Sequence, residues 1–168
     1  NWRGPYLTSI GNSVTAPTSA TAFGSLDGAA SWRLDRRTTE QVLQIQLAEI
    51  LHAAGGLVAA VISGRNFDAV LARAGLFGHV RAASMDLAYT TLRAYGRGDF
   101  ILGRLLERPL TEPSVRALLL VALMRLETRA EDAHTTVDQA VSAAARIAGG
   151  RFKPLVNGVL RNFLRRRE

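Results

Sequence analysis

The stretch from Val115 to Leu126 restricts the fold of this chain more than any other. Leu118, Leu119, Leu120, Val121, Ala122, Leu123 and Met124 follow one another without a polar residue. Thr111 and Pro113 just upstream mark a helix start, where the missing proline N–H is harmless. A helix apolar on nearly every side belongs at the centre of a bundle. The segment is therefore expected to be the hub around which other helices pack.

Those other helices are legible from apolar periodicity. Val42, Ile45, Leu47, Ile50, Leu51, Leu57, Val58, Val61 and Ile62 give one long helix or two, depending on Gly55-Gly56. A glycine pair costs roughly 2 kcal/mol against alanine in a helix interior, which leaves room for a kink there. Gly64 offers a stop. Asn66 is a good N-cap for a short helix through Ala74, with Phe67, Val70 and Leu71 inward. A third helix is predicted from about His79 to Tyr95, with Gly96 and Gly98 breaking the chain after it. Asp99 then caps a short helix from Phe100 to Glu107, which Pro109 prevents from continuing. Beyond the hub, His134 to Ala148 carries a stripe of small residues, ended by Gly149-Gly150. The last helix begins near Pro154, with Val156, Val159, Leu160 and Phe163 on its apolar face. Asn157, Arg161 and Arg165, spaced by four, share the other side. No stretch alternates with period two, so the predicted class is all-α, a compact bundle of about seven helices.

Residues 8–31 differ from all of this. Nineteen of those 24 are Ser, Thr, Gly, Ala, Pro or Asn, too little apolar surface to offset the entropy of ordering them. Residues 1–41 are read as a low-complexity tail or linker and 42–168 as the helical domain. Arg33, Arg36 and Arg37 could form a basic arm at the end of the tail, and a solvated linker is an equal reading. The first residue is not Met and the last lies in a charged helix, which allows the chain to be a piece of a longer protein.

The net charge of +7 is unevenly placed. Residues 1–41 and 42–150 each carry an excess of one positive charge. Residues 151–168 carry Arg151, Lys153, Arg161, Arg165, Arg166 and Arg167 against Glu168 alone. All but one of the basic side chains are arginine, which suits bidentate contacts to phosphate. A helix fixed by an apolar face can hold such groups against phosphates with little further ordering cost. The plainer reading is a solvated helix end whose cations complement the helix dipole.

Other chemistry finds little support. The absence of cysteine excludes disulfides and thiolate sites from this chain and fits a reducing, cytoplasmic setting. His52, His79 and His134 are far apart and lack metal-ligand spacing, and His134 suits a contact at a helix terminus. Gly96-Arg97-Gly98 follows a helix, not a strand, and reads as a turn. Glu127, Glu131 and Asp132 lie beside Arg125 and Arg129, as local ion pairs do. The longest uncharged run, Ile50 to Gly64, falls short of the ~20 apolar residues a membrane span needs.

Between 109 and 167 the order of residues is familiar: Pro109-Leu110-Thr111, the hub ending Leu123-Met124-Arg125-Leu126-Glu127, His134 with Val137-Asp138-Gln139-Ala140-Val141, and Leu155 through Arg165. With Asp86-Leu87-Ala88-Tyr89 and Thr91-Leu92-Arg93 upstream, the chain resembles the NusB-like family over roughly 42–168. It is most similar to the N-terminal domain of bacterial small-subunit ribosomal RNA cytosine-5 methyltransferases. The resemblance implies a bundle of about seven helices that binds ribosomal RNA and has no catalytic site of its own. Chemistry with S-adenosylmethionine would then belong to a following catalytic domain. Given that expectation of RNA binding, the basic residues of the last segment, Arg151, Lys153, Arg161, Arg165, Arg166 and Arg167, are the candidate RNA contacts, with Arg161 foremost. Asn157 would bond a neighbouring helix, and Gly158 would permit a close crossing. Stand-alone antitermination factors of the same family act with a ribosomal protein, but begin with an Arg-rich helix. Here Gln41, Gln44 and Gln46 stand in that region. A helical protein-docking module without RNA binding is the remaining alternative.

Overall fold

The computed structural model describes residues 46–167. The expected tail at 1–41 with its arm Arg33, Arg36 and Arg37, the helix start at Val42, and Glu168 lie outside the described residues. Within them are seven α-helices and no strand: α1 (46–62), α2 (Phe67–Arg73), α3 (Gly78–Arg93), α4 (Tyr95–Leu105), α5 (Pro113–Thr128), α6 (Ala133–Ala144) and α7 (Lys153–Arg167). Short 3-10 turns at Ala130–Asp132 and Ala148–Gly150 flank α6.

The hub is α5, as its composition requires. Ten of its sixteen residues are buried, and α3, α4, α6 and α7 all pack on it. Full burial of a leucine such as Leu118 or Leu123 stabilises by about 1.5–3 kcal/mol, so α5 is the largest single apolar contributor. Along α6, Ala140, Ala143 and Ala144 have no exposed surface, and α7 lies against them. The flank is lighter. α2 buries only Leu71, and Asn66 caps it as expected, its Oδ1 accepting from the Ala69 N–H at 3.1 Å. Phe67 ties α2 to α3 by stacking on Tyr89, with ring centroids 4.4 Å apart.

Glycine is where the sequence reading needs correction. At Gly55-Gly56 the first of the two readings holds, since α1 runs through the pair as one helix. A Cβ at Gly55 would sit 3.3 Å from Leu118 Cα, so this glycine lets α1 approach the backbone of α5. Gly96 and Gly98 do not end a helix, because α4 begins at Tyr95 and contains both. Only the bend at Ala94, φ −100 and ψ 18, separates it from α3. Gly98 is buried and a Cβ there would meet Leu120 Cδ2 at 3.2 Å. Asp99 is thus no cap; it pairs with Arg116 of α5. α6 stops at Ala144, earlier than expected, and the next turn has Ala148, Gly149 and Gly150 all at positive φ. Gly158 is exposed with no neighbour within 4 Å of an added Cβ, so it permits no close crossing.

Candidate nucleic-acid interface

Val156, Val159, Leu160 and Phe163 anchor α7, buried against the bundle. Their spacing by three and four fixes which side of the helix faces outward. Lys153, Asn157, Arg161 and Arg165 follow one another at intervals of four and form a ridge on that outward side. At 1.5 Å per residue the ridge is about 18 Å long. Lys153, Arg161 and Arg165 are exposed, and Asn157 is half-buried between them. The expected bond from Asn157 to a neighbouring helix is absent among the described residues. A half-buried amide still reaches water and needs no internal partner.

The helix from Lys153 to Arg167 has five basic side chains and no acid. Among the described residues none of Arg151, Lys153, Arg161 and Arg165 has a carboxylate partner within ion-pair distance. Arg151, in the turn before α7, stands with its guanidinium 4.7 Å from the centroid of the Phe152 ring. The remaining two arginines are engaged differently. Arg167 donates to the Leu126 carbonyl at 2.7 Å, near the end of α5, and Arg166 to the Arg104 carbonyl at 3.2 Å, near the end of α4. Helix ends leave carbonyls without intrahelical partners and carry partial negative charge, so both contacts are favourable. The six basic residues named from the sequence therefore divide into four free heads and two that also tie α7 to other helices.

The structure adds residues that the sequence reading did not select. Phe100 of α4 is 65% exposed, and Arg104 lies over its ring at 5.8 Å. Because Arg166 reaches the Arg104 backbone, this aromatic and basic pair adjoins the end of α7. A lone exposed aromatic on a short helix carries no periodic signal, so only the fold reveals it.

The acidic cluster follows local pairing only in part: Asp132 meets Arg125, whereas Glu127 meets Arg97, thirty residues away in sequence. Arg97 bonds Glu127 at 2.8 Å and Arg125 bonds Asp132 at 3.4 Å. Burial strips hydration from the Arg125 guanidinium and lowers its pKa, an effect that Asp132 opposes. His134 is exposed in the first turn of α6. Among the described residues no group of three or more His, Cys, Asp or Glu side chains is placed to hold a metal. No helix there is long and apolar enough to cross a membrane.

The NusB family profile matches residues 49–165. Over 85 residues the chain is 36% identical to ribosomal RNA small subunit methyltransferase B of Pasteurella multocida, covering 49% of this chain and 19% of that protein. It is 33% identical over 89 residues to the protein of the same name from Erwinia tasmaniensis, covering 52% of this chain and 21% of the relative. The protein of that name from Shigella flexneri gives 32% over 90 residues, 52% and 21%. The matched region thus spans about a fifth of these relatives, in their N-terminal part.

Proposed function

Because the chain belongs to the NusB family, we propose that it binds RNA through the α7 ridge and leaves chemistry to another domain. The observation that carries this reading is the rigid presentation of Lys153, Arg161 and Arg165 on a helix held by four buried side chains. The helix that carries these side chains is already fixed, so only their exposed heads have freedom left to lose when they meet phosphates. Arg151 extends the basic line past the helix start. Arg166 and Arg167 hold its far end and keep spare N–H groups for RNA. Exposed Phe100 offers a face on which an unpaired base can stack.

The relatives named above supply the substrate class: small-subunit ribosomal RNA, held for methylation. Helix dipole stabilisation accounts for arginines in the last turn of α7. It does not account for Lys153, which stands at the opposite end. S-adenosylmethionine would supply the methyl group in such a reaction. The described residues do not fit that group, having no strand-to-helix glycine loop to cradle it.

The test is binding of the full chain to a small-subunit ribosomal RNA fragment, beside an Arg151/Lys153/Arg161/Arg165→Ala variant. The wild type is expected to bind with a steep salt dependence, and the variant to lose most of its affinity with unchanged helicity. Equal binding by both would move the RNA surface elsewhere. No binding by either would favour a protein-docking module.

A further inference from the structure

A second concentration of arginine lies away from α7. A cleft of about 610 Å³ opens between α1, α2 and the segment after α6. That volume falls within the range of roughly 300–1,000 Å³ typical of small-ligand sites. Arg65, Arg73 and Arg146 line it from three separate segments, against the single carboxylate of Glu49. Among the described residues none of the three arginines forms an ion pair. They are exposed, whereas Leu57 is buried and Ala53, Val70 and Leu76 are half-buried. The arginines therefore sit at the mouth, and the half-buried lining beneath them is apolar apart from Glu49 and His52.

His52 also lines the cleft, and its Nδ1 is buried without a hydrogen-bond partner among the described residues. A buried polar atom in that state needs a partner. Burial and the positive charge of Arg146 keep the imidazole pKa below its ordinary value. At neutral pH the ring offers one donor and one acceptor.

We infer that this cleft binds one nucleotide unit, with its phosphate on Arg65, Arg73 and Arg146 and its base against the apolar wall beside His52. A bare anion would leave the apolar wall and His52 unused. A purely apolar ligand would leave three guanidinium groups unanswered. The unit can be a free mononucleotide or one nucleotide of an RNA strand. Only the second source rests on the RNA-binding reading, since no α7 residue lines the cleft.

The test is NMR titration of the full chain with adenosine monophosphate, inorganic phosphate and a five-nucleotide single-stranded RNA. The reporters are the His52 imidazole signals and the backbone amides of α2. Saturable shifts with the mononucleotide are expected, with phosphate at least about tenfold weaker. Arg65/Arg146→Gln should weaken nucleotide binding at least about tenfold, the loss expected for charge-assisted hydrogen bonds, with helicity and melting unchanged. Arg161/Arg165→Ala should leave mononucleotide binding intact. Saturation by the oligonucleotide alone would assign the unit to an RNA strand. Phosphate matching the mononucleotide, or no saturable shift at His52 with any titrant, would overturn the proposal. The readings fail separately: RNA bound through α7 without a His52 response removes the cleft site alone. Mononucleotide bound without any RNA affinity removes the RNA reading alone.

Discussion

α5 and α7 are nearly equal in length, sixteen and fifteen residues, yet ten residues of α5 are buried and four of α7. The apolar run of α5 leaves little room for anything but packing. α7 buries about a quarter of its residues, packs half-buried Leu155 and Leu164 against the core, and leaves Lys153 and its four arginines exposed. The difference teaches that the two helices do different work: α5 sets the fold, and α7 spends its outward side on charge.

That contrast can be broken by exchanging the damage. Leu118→Ala should cost about 2–5 kcal/mol, the transfer term plus a cavity, read by urea denaturation. Arg161→Ala should stay within about 0.5 kcal/mol of wild type, since its exposed head has no protein partner among the described residues. Comparable losses at both positions would dissolve the distinction.

A finer version lies within α1. Gly55→Ala should destabilise by about 1–2 kcal/mol, because the added methyl meets the Leu118 backbone. Gly56→Ala has open space and should stabilise by about 1 kcal/mol through helix propensity. Thermal melts of the two variants should therefore move in opposite directions. A shift of the same sign in both would mean that α1 does not approach α5 through Gly55.

The smallest effect is titrational. The His52 pKa is lowered from its ordinary 6.5, first by burial and then by Arg146. The unfolded chain thus binds a proton more readily than the folded one. The stability tied to neutral His52 is present above pH 6.5 and is lost as pH falls through the folded-state pKa. Urea midpoints should drop on acidification across that window, and less steeply in His52→Gln. An identical pH profile for both proteins would refute the assignment.

Much of the fold is legible in the sequence because burial on one or all sides leaves a periodic trace. The hub follows from its unbroken apolar run, the cap from the residue type of Asn66, and the apolar face of α7 from spacing by three and four. Gly55 and Gly98 were not legible, since a glycine that breaks a helix and one that admits a neighbour look alike until the neighbour is placed. The basic end of α7 was visible as a run of charge. Its division into free heads and the carbonyl-bound Arg166 and Arg167 was not, because both acceptors are backbone atoms of other helices. The cleft arginines were hidden for a similar reason: Arg65, Arg73 and Arg146 meet only through the packing of three segments.

The central claim is that the free heads of α7 contact RNA whereas its last two arginines also hold the fold. The most direct measurement is the salt dependence of RNA affinity for Arg161/Arg165→Ala in the full chain. The account predicts a slope of log affinity against log salt shallower by about 1.4–1.8, at roughly 0.7–0.9 for each phosphate no longer neutralised, with melting unchanged. A slope equal to that of wild type would contradict it, and would leave the α7 ridge as a solvated helix face.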